Sequence, residues 1–295
     1  MQIPELPSTS SSTWNAAEIP VRWDDIAQDG RCRVEALPPL LGSTAWRALM
    51  NTPAGKASIG TGIVPILTRL VIHAGDGPFG VNAPMSARGA YAFGHVLGAS
   101  GQVERLLLGM WIDASLPIGR VYGDAEGAGM LAHAGAVYAE HTLTRLFAPP
   151  DERKVTRLAL EGLDPVPGDS MPLVRGDDVT RLPIGAKWLE DAASVDPVAI
   201  PFGLAHTDSN QHVNSLVYVR LFEEAALRRL SALGKSTVVL ARRVHIAYRK
   251  PCFAGEVATV TLRVYEHDGS LGVVGTFANA NEPGRPTSHV HMILR

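Results

Sequence analysis

The sequence predicts an α+β protein made of two successive units of the same order, each a strand, a helix and then a run of antiparallel strands. Three observations carry this. The chain has 295 residues, a length that suits about two ordinary domains. Its second half reads as strand, long helix, then strands joined by a tight turn. Its first half repeats that order with weaker signals.

The second half is the clearer copy. Pro197-Val198-Ala199-Ile200-Pro201-Phe202 reads as a leading strand. The helix follows, with Leu216, Val217, Phe222, Ala226, Leu227 and Leu230 apolar and Glu223, Glu224, Arg228 and Arg229 charged. Asn214 or Ser215 can cap its N-terminus. The segment 244–252 reads as the first long strand after the helix. Gly255-Glu256-Val257 opens a second strand that runs over 258–265, and Asp268-Gly269 marks a tight hairpin turn. Strands over 271–279 and 288–294 complete the run, the last alternating polar and apolar residues.

In the first half, Ile19-Pro20-Val21-Arg22-Trp23-Asp24 parallels the leading strand. Residues 36–50 form a candidate helix with Pro38 and Pro39 in its first turn, where proline is tolerated. An apolar strand is expected over 63–72, and 90–97, 103–112 and 132–147 supply the other elements. Asp24 stands where Asp208 stands in the second half, and Gln28 where His212 stands. The expected divisions are a disordered start over 1–18, a degenerate first unit over 19–147, a connector over 148–195 and a second unit over 196–295. The connector carries Pro149-Pro150, Pro165-Val166-Pro167-Gly168 and Gly176-Asp177-Asp178, with a short helix near 151–160. The first residues are rich in Ser, Thr and Pro.

The chemistry concentrates in His206-Thr207-Asp208-Ser209-Asn210-Gln211-His212-Val213-Asn214. Asp208, Asn210 and His212 occupy every second position. In an extended segment such residues share a face, so an acid, an amide and an imidazole would converge. The trio lies just ahead of a helix N-terminus, where free backbone N–H groups favour negative charge. A polar cluster before a helix is more often only a cap and a turn.

Asn-Gln-His-Val-Asn, followed three residues later by Tyr218, resembles the active-site segment of the acyl-acyl-carrier-protein thioesterases, which have the hotdog fold, a curved sheet wrapped around one helix. The resemblance implies a tandem (double) hotdog in which only the second unit keeps its site. It places the catalytic positions on Asp208, Asn210 and His212, with Asn214, Tyr218, Arg249 and Cys252 near the substrate. Tyr248-Arg249-Lys250-Pro251-Cys252 keeps the Tyr, Arg and Cys of the family's Tyr-Arg-Arg-Glu-Cys and has Pro251 in place of the acid. The implied activity is hydrolysis of a fatty-acyl thioester on acyl carrier protein or coenzyme A, in the cytoplasm, in fatty-acid metabolism. It needs no metal and no cofactor, because a thioester carbonyl is already activated. The implied arrangement leaves room for a homodimer. Two other classes stay open: a hotdog hydratase or dehydratase on an acyl thioester, and a non-catalytic acyl-chain binding protein.

Bulk composition excludes several classes. Hydrophobic residues make up 46% and charged residues 19%, so a packed core can form. The net charge of -2 gives no reason to expect nucleic-acid binding. No apolar run approaches the roughly 20 residues of a membrane span, and no secretory signal opens the chain. The two cysteines, Cys32 and Cys252, exclude a disulfide framework and suit a reducing compartment. Arg228, Arg229, Arg242, Arg243, Arg249 and Lys250 concentrate positive charge in the second half and could steer an acidic carrier protein. Gly168-Asp169-Ser170 reads as a turn, and Ala54 to Ser58, with Gly55-Lys56, as a loop. His289 and His291 alternate on one strand and read as a partly exposed face rather than metal ligands.

Overall fold

The computed structural model describes residues 1–7, 14–58, 61–160 and 163–295. It divides into two compact units at Leu173/Val174, inside the expected connector.

The first unit is an antiparallel sheet. Its strands are β1 (Asn15–Ile19), β2 (Val64–Ala74), β3 (Met85–Leu97), β4 (Val103–Pro117) and β5 (Leu131–Thr144), in the order β1-β3-β4-β5-β2. The long strands are rich in apolar and β-branched residues, and Leu70, Ile72, Leu106, Leu108, Met110 and Val137 are buried. Helical residues run over 40–50. Gly42–Trp46 is a π-helical turn, and α1 (Arg47–Met50) and α2 (Pro53–Ser58) follow. The expected helix over 36–50 therefore starts late. Pro38 and Pro39 supply no N–H donors and stand before it rather than within it. The hydroxyl of Thr44 donates to the Leu40 carbonyl at 2.7 Å. A Cβ on Gly89 of β3 would lie 2.3 Å from the Thr44 Oγ1, so the helix sits on the sheet where the side chain is missing.

Four expectations fail in this unit. Residues 54–58, expected as a loop, are helical. No helix occurs over 151–160; instead Lys154 bridges to Thr144. The start is not structureless where it is described, because β1 pairs with β3 and the Trp111 indole donates to the Pro4 carbonyl at 2.8 Å. Residues 8–13 of that Ser/Thr-rich start lie outside the described residues. Gly168-Asp169-Ser170, expected as a turn, ends in a short strand, β6 (Asp169–Ser170), which runs parallel to β3 at Gly94 and His95.

The second unit opens with α3 (Gly176–Val179) and three two-residue strands, β7 (Lys187–Trp188), β8 (Ser194–Val195) and β9 (Ile200–Pro201). The leading strand expected over 197–202 is thus only two residues long. Next come α4 (Ser215–Ala232), β10 (Ala241–Tyr248), β11 (Val257–His267), β12 (Ser270–Asn279) and β13 (Pro286–Leu294). The four long strands order as β10-β13-β12-β11, and β7, β8 and β9 line the outer edge of β11. Asp268 (φ 48°) and Gly269 (φ 70°) make the expected tight hairpin.

Helix α4 buries Tyr218, Val219, Phe222, Ala225, Ala226 and Leu230, one stripe at helical spacing. Phe277 of β12 packs against Tyr218 and Phe222, with ring centroids 5.3 and 6.2 Å away. Beside it, a Cβ on Gly275 would lie 2.9 Å from the Phe222 ring. Two ion pairs clamp the outer face of α4. Arg228 holds Asp196 at 2.6 Å and Arg229 holds Glu190 at 2.5 Å, and both carboxylates are buried. Glu190 also accepts from the Val264 N–H at 2.8 Å, so it ties the edge segment to both helix and sheet.

His289 and His291 are 6% and 4% exposed, not the partly exposed face the alternation suggested. Helix α3 covers them. The His291 Nδ1 lies 3.1 Å from the Val179 carbonyl, and its Nε2 meets the Tyr265 hydroxyl. A neutral imidazole satisfies both bonds, donating to Val179 and accepting from Tyr265. Burial pushes the His291 pKa down to about 4. Among the described residues no group of three or more His, Cys, Asp or Glu side chains could hold a metal ion.

Candidate active site

The segment that carries Asp208, Asn210 and His212 is a closed loop, not an extended strand. A 3-10 turn over Leu204–His206 leads in, and Thr207 and Val213 then bridge to each other. Between them the Asp208 N–H donates to the His212 carbonyl at 3.2 Å and the Gln211 N–H to the Asp208 carbonyl at 2.9 Å. Gln211 sits at φ 66°, a left-handed conformation that costs a non-glycine residue free energy. The simple alternation of an extended strand therefore does not set the faces here; the turn holds the three residues in one closed loop.

Asp208 is the best-held of the three. Its Oδ1 accepts from the Asn210 N–H at 2.9 Å and its Oδ2 from the Asn214 Nδ2 at 3.0 Å. Asn214 caps α4 with its other end, its Oδ1 accepting from the Leu216 N–H at 2.9 Å. One amide thus fixes both the carboxylate and the helix start. The Asn210 side chain is exposed. The His212 Nδ1 lies 3.4 Å from the Val213 carbonyl. A proton on Nδ1 then leaves the Nε2 lone pair for a water or substrate. Among the described residues no side-chain hydrogen bond joins His212 to Asp208 or Asn210; the backbone bond from the Asp208 N–H to the His212 carbonyl links them instead.

The wall behind the loop is aromatic. Tyr218 is buried between Phe202, at 6.0 Å, and Tyr248, at 5.7 Å. Burial, and then contact with Cys252, raises the Tyr218 pKa, so the phenol stays neutral. The Tyr248 hydroxyl donates to the Ser215 carbonyl at 2.9 Å and braces the first turn of α4; Tyr248 and Phe202 are supports that the motif alone did not single out. Cys252 is 2% exposed, and its carbonyl accepts from the Val213 N–H at 2.8 Å. Arg249 is exposed at the end of β10, its N–H donating to the Thr287 carbonyl at 2.9 Å. Of the amides at the start of α4, Leu216 and Val217 are already bonded to Asn214. The Ser215 N–H has no partner among the described residues.

These local shapes match known proteins. A model of the thioesterase superfamily matches residues 210–280, which begins inside the loop and ends just past β12. An acyl-ACP thioesterase from Bacteroides thetaiotaomicron aligns over 96% of this chain and 98% of its own, at 12% identity and a TM-score of 0.58. The 12:0-ACP thioesterase from Umbellularia californica aligns over 96% and 97%, at 12% identity and a TM-score of 0.52. The architecture is a tandem hotdog. No curated protein matches the sequence.

The tandem hotdog carries the same loop twice, in a register that differs from the expected one. In the first unit a 3-10 turn over Trp23–Asp25 leads into a bridge between Ile26 and Cys32. The Ala27 N–H donates to the Arg31 carbonyl at 2.8 Å and the Gly30 N–H to the Ala27 carbonyl at 2.9 Å. The Arg33 N–H donates to the Asp25 carbonyl at 2.9 Å, as the Asn214 N–H does to His206 at 2.9 Å. This register matches Ala27 to Asp208, Asp29 to Asn210, Gly30 to Gln211 and Arg31 to His212. The pairings of Asp24 with Asp208 and Gln28 with His212 are therefore wrong by three residues. The lead-in from Ile19-Pro20 to Ala27 is as long as that from Ile200-Pro201 to Asp208, so the Ile-Pro pairs stand in the observed register as well.

The basic cluster is also smaller than it reads in the sequence. Arg228 and Arg229 are spent on Asp196 and Glu190, Lys250 lies 3.6 Å from Glu282, and Arg242 is 5% exposed. Arg243 and Arg249 are left as exposed cations. Among the described residues, no helix is long and apolar enough to cross a membrane.

Proposed function

We propose that this protein hydrolyses fatty-acyl thioesters carried on acyl carrier protein or coenzyme A, at the loop 206–214. The observation that carries this reading is the Asn214 amide holding Asp208 at the start of α4, with the His212 imidazole in the same closed loop. The superfamily match over 210–280 supports it, and so do the acyl-ACP substrates in the names of the two structural relatives.

In this mechanism the His212 Nε2 takes a proton from water, and the hydroxide attacks the thioester carbonyl. The Ser215 N–H, free at the positive end of α4, stabilises the oxyanion. Asn210 positions the water or the carbonyl. Asp208, fixed by Asn214, orients the network, and its negative charge favours the imidazolium once it forms. The proton then passes from His212 to the departing thiolate, giving a free fatty acid and a thiol. Cys252 lies buried behind the loop and supports it rather than attacking. With most of the basic cluster neutralised, charge gives acyl carrier protein little advantage over coenzyme A, and the carrier assignment rests on the relatives alone. The two reduced cysteines suit a cytoplasmic setting.

The test is to incubate the protein with acyl-coenzyme A and acyl-ACP and follow free thiol, with enoyl absorbance in parallel. Thiol release that is lost on His212→Ala supports the proposal. An enoyl change without thiol release means a hydratase, and saturable binding without turnover means an acyl-binding protein.

A further inference from the structure

The first unit keeps the loop but not its chemistry. Ala27, Asp29 and Arg31 replace the acid, amide and imidazole, so no imidazole base remains, and the Asp29 carboxylate is paired with Arg31. Yet this loop borders a cavity of about 470 Å³ formed wholly by first-unit residues. That size falls in the range of small-molecule sites.

Its lining is chemically divided. Ile26, Phe79, Val81 and Val121 are apolar, and Ile26 and Phe79 are buried. Trp23 and Tyr122 also stand in the lining, at 68% and 85% exposed, and offer aromatic surface to a ligand. The charges around the loop are mostly spoken for. Asp29 is held by Arg31 at 2.6 Å, and Asp25 by Arg22 at 2.7 Å. Arg120 also lines the cavity and is exposed, and its guanidinium has no partner among the described residues.

We propose that this cavity is a second, non-catalytic site for a monoanionic amphiphile, a fatty-acid carboxylate, with its head on Arg120 and its chain on the apolar lining between Trp23 and Tyr122. One free cation matches one negative charge. A polyphosphate such as that of coenzyme A would bring several negative charges to the same single guanidinium, with the Asp29 carboxylate also in the lining. The site shares no residue with the loop 206–214 and does not depend on turnover there.

The test is calorimetric titration of the full chain with dodecanoate, below its micelle concentration, alongside dodecanol and coenzyme A. Saturable dodecanoate binding is expected. Arg120→Glu should weaken it by about tenfold or more, the usual worth of a charge-assisted hydrogen bond. Val81→Trp, which adds bulk to the apolar lining, should abolish it. Both variants should leave acyl-thioester turnover unchanged, and His212→Ala should leave this binding unchanged. The proposal is overturned by absent binding, by binding indifferent to both substitutions, by equal binding of dodecanol, or by Arg120-dependent displacement of dodecanoate by coenzyme A. Because the readout is heat of binding, failure of the hydrolase reading would leave this result intact.

Discussion

The Asn214 side chain donates to the Asp208 carboxylate at 3.0 Å while its own carbonyl oxygen caps Leu216 at 2.9 Å. The geometry of the proposed site is therefore linked to the integrity of the helix start. Asn214→Ala should lower stability by about 1 kcal/mol, the worth of an N-cap, and should lower turnover further than that loss explains. Asn214→Asp keeps the cap acceptor but sets a like charge beside Asp208. It should fold well and turn over slowly. Urea titration together with kcat measurement checks both variants, and normal turnover by Asn214→Asp would remove Asp208 from the mechanism.

His212→Ala should reduce kcat by on the order of 10²–10⁴, as loss of a general base does. Arg31→Ala, at the matching position of the first unit, should leave kcat within about twofold, since an effect of that size is well below the loss of a base. A comparable loss in both variants would show that the first loop takes part in turnover.

Cys252→Ser should retain most of the activity, and mass spectrometry during turnover should find no acyl group on Cys252. The thiol is 2% exposed behind the loop, where a substrate carbonyl cannot reach it without the loop opening. An acyl-Cys252 adduct would replace the water mechanism with a thiol one.

Glu190→Ala should cost about 1–3 kcal/mol, the usual loss when hydrogen-bond donors are left without their acceptor. It strands the Arg229 guanidinium and the Val264 N–H together. Lys187→Ala, exposed on the same edge segment, should cost under about 0.5 kcal/mol, as exposed substitutions do. Chemical denaturation separates the two, and equal small effects would mean that the edge segment is not anchored through Glu190.

Stability should fall as the pH drops from about 6.5 towards 4. Burial depresses the pKa of His291 to about 4 and that of His141 to about 4. Below about pH 6.5 the unfolded chain takes up these protons and the folded chain does not, so each histidine steepens the slope by up to about 1.4 kcal/mol per pH unit. Below about pH 4 both forms are protonated and this contribution levels off. His291→Gln should flatten the slope between pH 6 and 4.5, measured by urea unfolding at each pH. An unchanged slope would mean that His291 is not held neutral.

The second unit was largely legible in the sequence because its signals are local. The stripe from Tyr218 to Leu230 has helical period, Asn214 is a capping residue, and Asp268-Gly269 is a turn pair, so each element follows from a few neighbouring side chains. The loop string was legible as a resemblance, which pointed to Asp208, Asn210 and His212 without describing their geometry. The first unit was harder. Pro38, Pro39 and the π-helical turn over Gly42–Trp46 blur the helix, and the loop there has lost every residue that chemistry would flag.

By itself, then, the sequence determined the tandem hotdog order, the helix of the second unit with its cap, and the residues to which a thioesterase-like site would belong. The element order and the cap followed because periodicity, caps and turns act over a few residues, while the hotdog and the site residues were what the resemblance implied. Tertiary structure alone decided the rest. It closed the loop 206–214 so that alternation no longer sets the faces, and it matched Arg31, not Gln28, to His212 by backbone hydrogen bonds. It also buried His289 and His291 under α3 and spent Arg228 and Arg229 on Asp196 and Glu190. The buried histidines and the two ion pairs depend on partners dozens of residues away, whereas the loops close on backbone bonds between residues three to eight apart. Whether a side chain is paired, covered or free is a property of what the fold packs against it.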